Sequence, residues 1–190
     1  MTNTTFRKAL LVIDMQENLV KASSRIHIDI SNVDQLFQHI NQTIELFEQE
    51  GLPVLYITNE WSNVLVNWIT GNACKKGGKG VGPDPRLRRV NRKLYRKSAK
   101  SAFINTEVLK DLQDWKVSEI VLVGLFAEHC VKATMLDALR NDFRVTIITD
   151  ALGSKNENNL SRSLQYYQSK GATLVSAEGW KDINRNRITA

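Results

Sequence analysis

EIVLVGLFAEHCVKATMLDA, residues 119–138, changes its periodicity halfway along. Ile120 to Val123 form an unbroken apolar run, the pattern of a strand buried on both faces. Gly124 ends the run, and Val131, Met135, Leu136 and Leu139 then fall at helical spacing. Cys130 lies where the strand has ended and the helix begins. There the unpaired N–H groups and the positive end of the helix dipole favour an anion, which for cysteine is the thiolate. A strand–turn–helix that displays a sulfur in this way is how an α/β protein presents a nucleophile.

Similar alternation runs outward in both directions. ALLVIDM (Ala9 to Met15), PVLYITNE (Pro53 to Glu60), LYRKS (94–98), RVTIITDA (Arg144 to Ala151) and TLVSAEG (Thr173 to Gly179) read as strands. Between them, Val33, Leu36, Phe37, Ile40, Ile44 and Phe47 make one apolar helix face that Gly51 stops. Ser31 is the expected cap of that helix, with Asp34 three residues on in the manner of a capping box. TEVLKDLQDW (Thr106 to Trp115) is a second helix, capped by Asn105 or Thr106, and a third runs from about Asn158 to Lys170. Strands alternating with helices at this spacing predict a single domain over residues 1–190: a three-layer α/β/α protein with a mostly parallel, doubly wound sheet.

Two stretches resist periodic reading. Residues 16–30 are irregular and polar. Residues 61–93 hold five of the ten glycines and two of the three prolines, with a short helix expected near Val64–Ile69. Loops this long inside a compact domain are functional or mobile. The tail WKDINRNRITA is polar and is expected to pack loosely or against a partner subunit.

Composition is that of a soluble globular chain, 42% hydrophobic and 24% charged. The N-terminal stretch shows no secretory leader, and the longest apolar runs are strand-sized, so a membrane span is not expected. The two cysteines, Cys74 and Cys130, sit in unlike settings, and a reduced pair in a cytoplasmic protein is the expectation. The net charge of +6 is local: residues 75–100 carry eleven Lys or Arg and one acid, Asp84. That window reads as a solvated lid or as a lure for an anionic substrate. Charge alone makes only a nonspecific footprint for nucleic acid, and no recognition motif or aromatic row accompanies it. GGKG near Lys79 lacks the strand-to-helix setting of a phosphate loop.

Asp14, Lys97 and Cys130 fall at the carboxyl ends of three expected strands, which lie together on one edge of a doubly wound sheet. Lys97 would hold the sulfur as a thiolate, and Asp14 would move a proton between thiol and leaving amine. Backbone N–H groups of Phe126 and Cys130 would receive a developing oxyanion. Gln16, Trp61 and Phe103 are substrate-pocket candidates, with loop, core or interface roles as the plainer alternatives. His129 adjoins Cys130, but neighbouring residues at a helix start point in different directions, so a Cys–His dyad is not expected. His27 and His39 lack partners at ligand spacing.

These motifs, in this order, resemble the isochorismatase-like cysteine hydrolases, which include nicotinamidases, N-carbamoylsarcosine amidohydrolases and ureidoacrylate amidohydrolases. The matching stretches are LLVIDMQ with Asp14 and Gln16, KSAKSAF with Lys97, GLFAEHCVKAT with Cys130, ITDALGS (Ile148 to Ser154) and the late AEG. The resemblance implies an Asp14–Lys97–Cys130 triad, a thioester intermediate, no cofactor, a homo-oligomer, and a non-proline cis peptide near Leu125–Phe126. Ala127 and Glu128 stand where family members usually have Thr and Asp. TNEWSNVLVNW lacks the histidines that metal-binding nicotinamidases carry after the second strand, so no metal is expected. The activity implied is hydrolysis of a small amide, ureido or carbamoyl compound. The alternatives are a non-catalytic binding or scaffold protein that engages an acidic partner through residues 75–100, and a redox or detoxifying thiol protein.

Overall fold

A computed structural model describes residues 7–29 and 31–188, with side chains to residue 183. Met1–Phe6, on which the reading of a missing leader falls, lie outside the described residues. Six strands form one sheet: β1 (Arg7–Ile13), β2 (Val54–Asn59), β3 (Leu94–Lys97), β4 (Val117–Gly124), β5 (Arg144–Leu152) and β6 (Thr173–Val175). Their order is β3-β2-β1-β4-β5-β6, and every pairing is parallel. The helices are α1 (Val33–Gln49), α2 (Val64–Ile69), α3 (Thr106–Asp114), α4 (Lys132–Arg140), α5 (Glu157–Ser169) and α6 (Ala177–Ile188).

The apolar runs explain the layering. In a strand successive side chains point to opposite faces, so a run buried on both sides feeds two cores. Leu11, Ile13, Ile120 and Leu122 join a cluster with Val108 and Leu112 of α3, Met135 of α4 and Tyr167 of α5. Leu10, Val12, Val121 and Val123 join the opposite cluster with Leu36, Phe37, Ile40 and Ile44 of α1 and Trp180 of α6. Covering both faces is what an all-parallel sheet requires.

Three expectations are corrected here. Ser31 does not cap α1: the cap position is Asn32, without a side-chain bond, and the Ser31 N–H instead donates to Asp29 Oδ1 at 3.0 Å. The last strand stops at Val175, and Ala177 already opens α6. The tail is therefore not loosely packed at its start, where Trp180 is buried and stacks on Phe47 with ring centroids 5.9 Å apart.

The chain winds from β1 outward to β3, then returns to place β4 against the other side of β1. This reversal is the topological switch point, where doubly wound sheets open a crevice at the strand carboxyl ends. Gly124 makes the turn out of β4 possible: its φ is +111°, and a Cβ there would lie 2.1 Å from the Ile13 carbonyl oxygen. Only a residue without a side chain lets β4 end so close to β1.

Candidate active site

Each of the three reactive groups emerges from a strand end. Asp14 follows β1 with a left-handed backbone, φ +52°, unusual for a residue with a side chain. Its N–H donates to the Ile57 carbonyl at 2.9 Å, and its own carbonyl accepts from the Gln16 N–H at 2.7 Å. Lys97 is the last residue of β3. Cys130 lies within a π-helical turn, Ala127–Val131, that precedes α4, with Val131 N–H donating five residues back to the Phe126 carbonyl at 3.2 Å.

The three meet. Lys97 Nζ donates to Asp14 Oδ2 at 2.8 Å and to Cys130 Sγ at 3.3 Å, and a third bond, to the Ala99 carbonyl at 3.2 Å, completes its set. Exposure is 1% for Asp14, 2% for Lys97 and 6% for Cys130. Such a pair is sustained by tight geometry, since taking two charges out of water is costly unless each finds its counterpart.

The Cys130 turn is braced from β5 and α5. The Ala127 N–H donates to the Gly153 carbonyl at 2.9 Å, the Gly153 N–H to the Gly124 carbonyl at 3.0 Å, and the Tyr167 hydroxyl to the Ala127 carbonyl. Glu128 accepts from Ser154 Oγ at 2.9 Å, the Lys155 N–H at 3.0 Å and Asn159 Nδ2 at 3.2 Å. Burial alone would raise its carboxyl; these donors outweigh burial and hold it below the usual range. ITDALGS thus acts as the cradle of the Cys130 turn.

Protonation departs from the sequence reading. Burial, with the Asp14 charge adding to it, pushes the Cys130 thiol up to about 12, and the nearby Lys97 only partly offsets this. Lys97 is shared with Asp14, and Cys130 sits inside a buried turn rather than at the open start of α4. The direction of this shift runs against the depressed thiol expected from the lysine and the helix start. Burial likewise raises Asp14 against the pull of Lys97, while for Lys97 the two acids overcome burial and raise it. The Leu125–Phe126 peptide is not cis; among the described residues no peptide bond is. Gly124, with its positive φ, makes the turn there instead.

A cavity of about 510 Å³ opens onto Asp14 and Cys130, a volume suited to a small molecule. Trp61 is among the residues that line it. Gln16 and Phe103 do not. Gln16 is fully buried, its Nε2 donating to the carbonyls of Asn59 (3.0 Å) and Val81 (2.6 Å) while its Oε1 accepts from the Asn59 N–H at 2.7 Å. That makes it a clamp between β2 and the long loop. Phe103 packs on Phe143, 6.1 Å between centroids, in the α3–α4 core. His129 is exposed, lies beside Phe126 and lines the cavity.

Asn59 was missed from sequence. It ends β2, is 3% exposed, lines the cavity and places Nδ2 4.0 Å from Cys130 Sγ. Its Oδ1 and Asp14 Oδ1 are buried acceptors without a protein donor. The signal was present: Asn59 ends a buried strand just as Asp14 follows one. The basic window resolves differently. Arg86, Arg88, Lys93, Arg96 and Lys97 each face a carboxylate, and Arg89 lies over Tyr56. Much of that charge is internal bracing.

Among the described residues no three His, Cys, Asp or Glu side chains gather as a metal-binding group. Glu60, just past β2, is committed to Arg96 Nε at 2.8 Å. The donors of a metal centre do not fit here, and no step is routed through one. Among the described residues no helix is long and apolar enough to cross a membrane.

Known proteins share this architecture. The pyrazinamidase of Pyrococcus horikoshii, solved in complex with zinc, is 23% identical with a TM-score of 0.77, covering 90% of this chain and 99% of its own. The N-carbamoylsarcosine amidase of Thermoplasma acidophilum is 24% identical with a TM-score of 0.76, covering 90% and 97%. In sequence, nicotinamidase 3 of Arabidopsis thaliana is 25% identical over 165 residues, 78% of this chain and 74% of that protein. A family model described as the isochorismatase domain matches residues 8–179, and the chain belongs to this family of hydrolases.

Proposed function

We propose that the protein is a cysteine-dependent amidohydrolase of small amide, ureido or carbamoyl compounds, with Asp14, Lys97 and Cys130 as its triad. The observation that carries the reading is the joint contact of Lys97 Nζ with Asp14 Oδ2 and Cys130 Sγ at the floor of a small-molecule cavity. The names of the similar proteins, amidases of small nitrogenous compounds, support the substrate class.

In the resting site Asp14 is a carboxylate beside the Lys97 ammonium, and Cys130 is a thiol. Asp14 accepts the thiol proton as sulfur attacks the carbonyl carbon, so the thiolate exists only while it is being consumed. Lys97 stays protonated and stabilises the negative charge as it passes from carboxylate to sulfur. The amides of Leu125, Ala127, His129 and Val131 are used on backbone carbonyls. Those of Phe126 and Cys130 are the donors we assign to the oxyanion. Collapse of the tetrahedral adduct breaks the C–N bond, and the departing nitrogen takes the proton from Asp14. Water then attacks the thioester, giving its proton to Asp14; the carbon–sulfur bond breaks and the thiol recovers that proton. The free acceptors Asn59 Oδ1 and Asp14 Oδ1 favour a substrate that brings N–H donors, an amide over an ester.

The test is ammonia release from a panel of primary carboxamides, ureido acids and carbamoyl compounds, run with wild type and Cys130→Ser. Turnover that Cys130→Ser abolishes is the expected result. Turnover that survives the substitution would remove the nucleophile from the scheme. The scaffold alternative is not favoured, because so many cations of residues 75–100 are bound within the molecule.

A further inference from the structure

We infer that the cavity holds an anion subsite anchored on Arg25, so that the substrate is a small amide or ureide bearing a carboxylate or similar anionic group. This rests on the hydrolytic reading above and names its substrate class.

The first observation is the charge on the cavity wall. Arg25, Lys100 and Lys155 line it, and the carboxylates facing them are Asp14 and Glu128. Asp14 is matched by Lys97. Glu128 is occupied by Ser154, Asn159 and the backbone of Lys155, not by the Lys155 ammonium. Among the described residues no ion pair engages Arg25, Lys100 or Lys155. All three cations are exposed, and with only Glu128 unmatched against them the mouth of the cavity presents a net positive charge to whatever enters. The three cations follow β1, β3 and β5, so they approach the cavity from separate strand ends.

The second observation is that Arg25 is held rather than loose. Its Nη1 donates to the Trp68 carbonyl at 3.1 Å, at the α2 side of the cavity. Its stem lies over Gly71, where a Cβ would come within 3.0 Å of Arg25 Cδ and 3.1 Å of Cγ. Gly71 also has φ +65°, so backbone conformation and the seat for the arginine both call for glycine. One N–H of the fork is used on protein, and the remaining donors are free for a ligand. A planar guanidinium tethered at one N–H is the side chain best suited to grip a carboxylate through two parallel bonds. Arg86 and Arg88 of the long loop and Arg96 of β3 already hold protein carboxylates; Arg25 is the cavity arginine left to take one from outside.

Two alkylating reagents of nearly equal shape test this: iodoacetate, an anion, and iodoacetamide, its neutral counterpart. In both, sulfur displaces iodide, and mass mapping reads the rate at Cys130 separately from Cys74. The ratio of the iodoacetate rate to the iodoacetamide rate is compared with that for a free small thiol. The subsite predicts a ratio above the free-thiol value that Arg25→Gln lowers by about tenfold, with Arg25→Lys between. Lys100→Gln and Lys155→Gln should lower it less, and salt well above physiological strength should compress it. A ratio equal to that of the free thiol and unmoved by Arg25→Gln overturns the subsite while leaving the nucleophile intact. A Cys130 that neither reagent modifies, even at high pH, refutes the nucleophile itself, and the subsite with it.

Discussion

Cys74 and Cys130 face the same cavity, and burial pushes both thiols up to about 12. Both shifts run the same way and to the same extent, so acidity does not separate them. Their neighbours do. Cys130 lies 3.3 Å from the Lys97 ammonium, which also holds the Asp14 carboxylate at 2.8 Å. Cys74 feels the same charges only at a distance, and its carbonyl, not its sulfur, makes the bond that ties it to the Trp61 N–H. A buried sulfur becomes a nucleophile when a base touches it and can take its proton in the same step as bond formation. A buried sulfur without that contact is packing.

The largest expected effect comes from exchanging the two roles. Cys130→Ser should lower turnover by about ten-thousandfold or more, whereas Cys74→Ser should change it by less than about tenfold, measured as ammonia release. Comparable losses at both positions would erase the distinction.

Next come the residues that make the difference. Asp14→Asn removes the proton acceptor and should cost between ~100-fold and ~10,000-fold in kcat. Lys97→Met should cost as much by another route: the buried carboxylate, left alone, takes up a proton and ceases to be a base. The wild-type rate should fall on the acid side as Asp14 protonates. Because burial raises that carboxyl, the acid limb belongs above the usual carboxylate range near 3.8. A limb at or below the ordinary value would mean that Asp14 is not the group titrating.

A smaller effect is expected at Asn59. Asn59→Ala removes the buried acceptor beside the sulfur and should lower kcat/KM for a primary amide by about tenfold. For the corresponding ester the loss should be slighter. Equal losses for both would assign Asn59 to holding Cys130 rather than to reading the substrate nitrogen.

The smallest effect is on stability. A thiol whose folded pKa is raised keeps its proton longer in the native state. Its stabilising contribution is complete below the unfolded value near 9 and declines as pH climbs toward about 12. Thermal denaturation should show a decline beginning near pH 9 that Cys74→Ala makes shallower. An unchanged alkaline slope would place the decline elsewhere.

The strands that build the site were legible because burial on both faces leaves an unmistakable apolar run. Asp14, Lys97 and Cys130 could be placed on one edge from chain order alone, since a parallel sheet gathers its strand ends. What touches them was not legible. Gln16 follows Asp14 by two residues and Phe103 follows Lys97 by six, yet one clamps a loop and the other enters the core. Arg25, Lys100 and Lys155 lie in aperiodic loops, where no spacing rule says which side chains converge. Ser31 fitted a capping pattern, but Asp29 takes up its N–H, and α1 starts at Val33 without a side-chain cap. The direction in which the site shifts the thiol was not legible either. Proximity to a lysine is visible in a motif, but burial and the sharing of that lysine with Asp14 appear only in three dimensions.

The most direct test is intact-mass analysis of the enzyme mixed with a hydrolysable amide and quenched in acid during turnover. The account predicts an adduct with the mass of the acyl or carbamoyl group on Cys130, absent in Cys130→Ser and in Asp14→Asn and never found on Cys74. Ammonia release with an adduct on Cys74, or sustained turnover by Cys130→Ser, would contradict it.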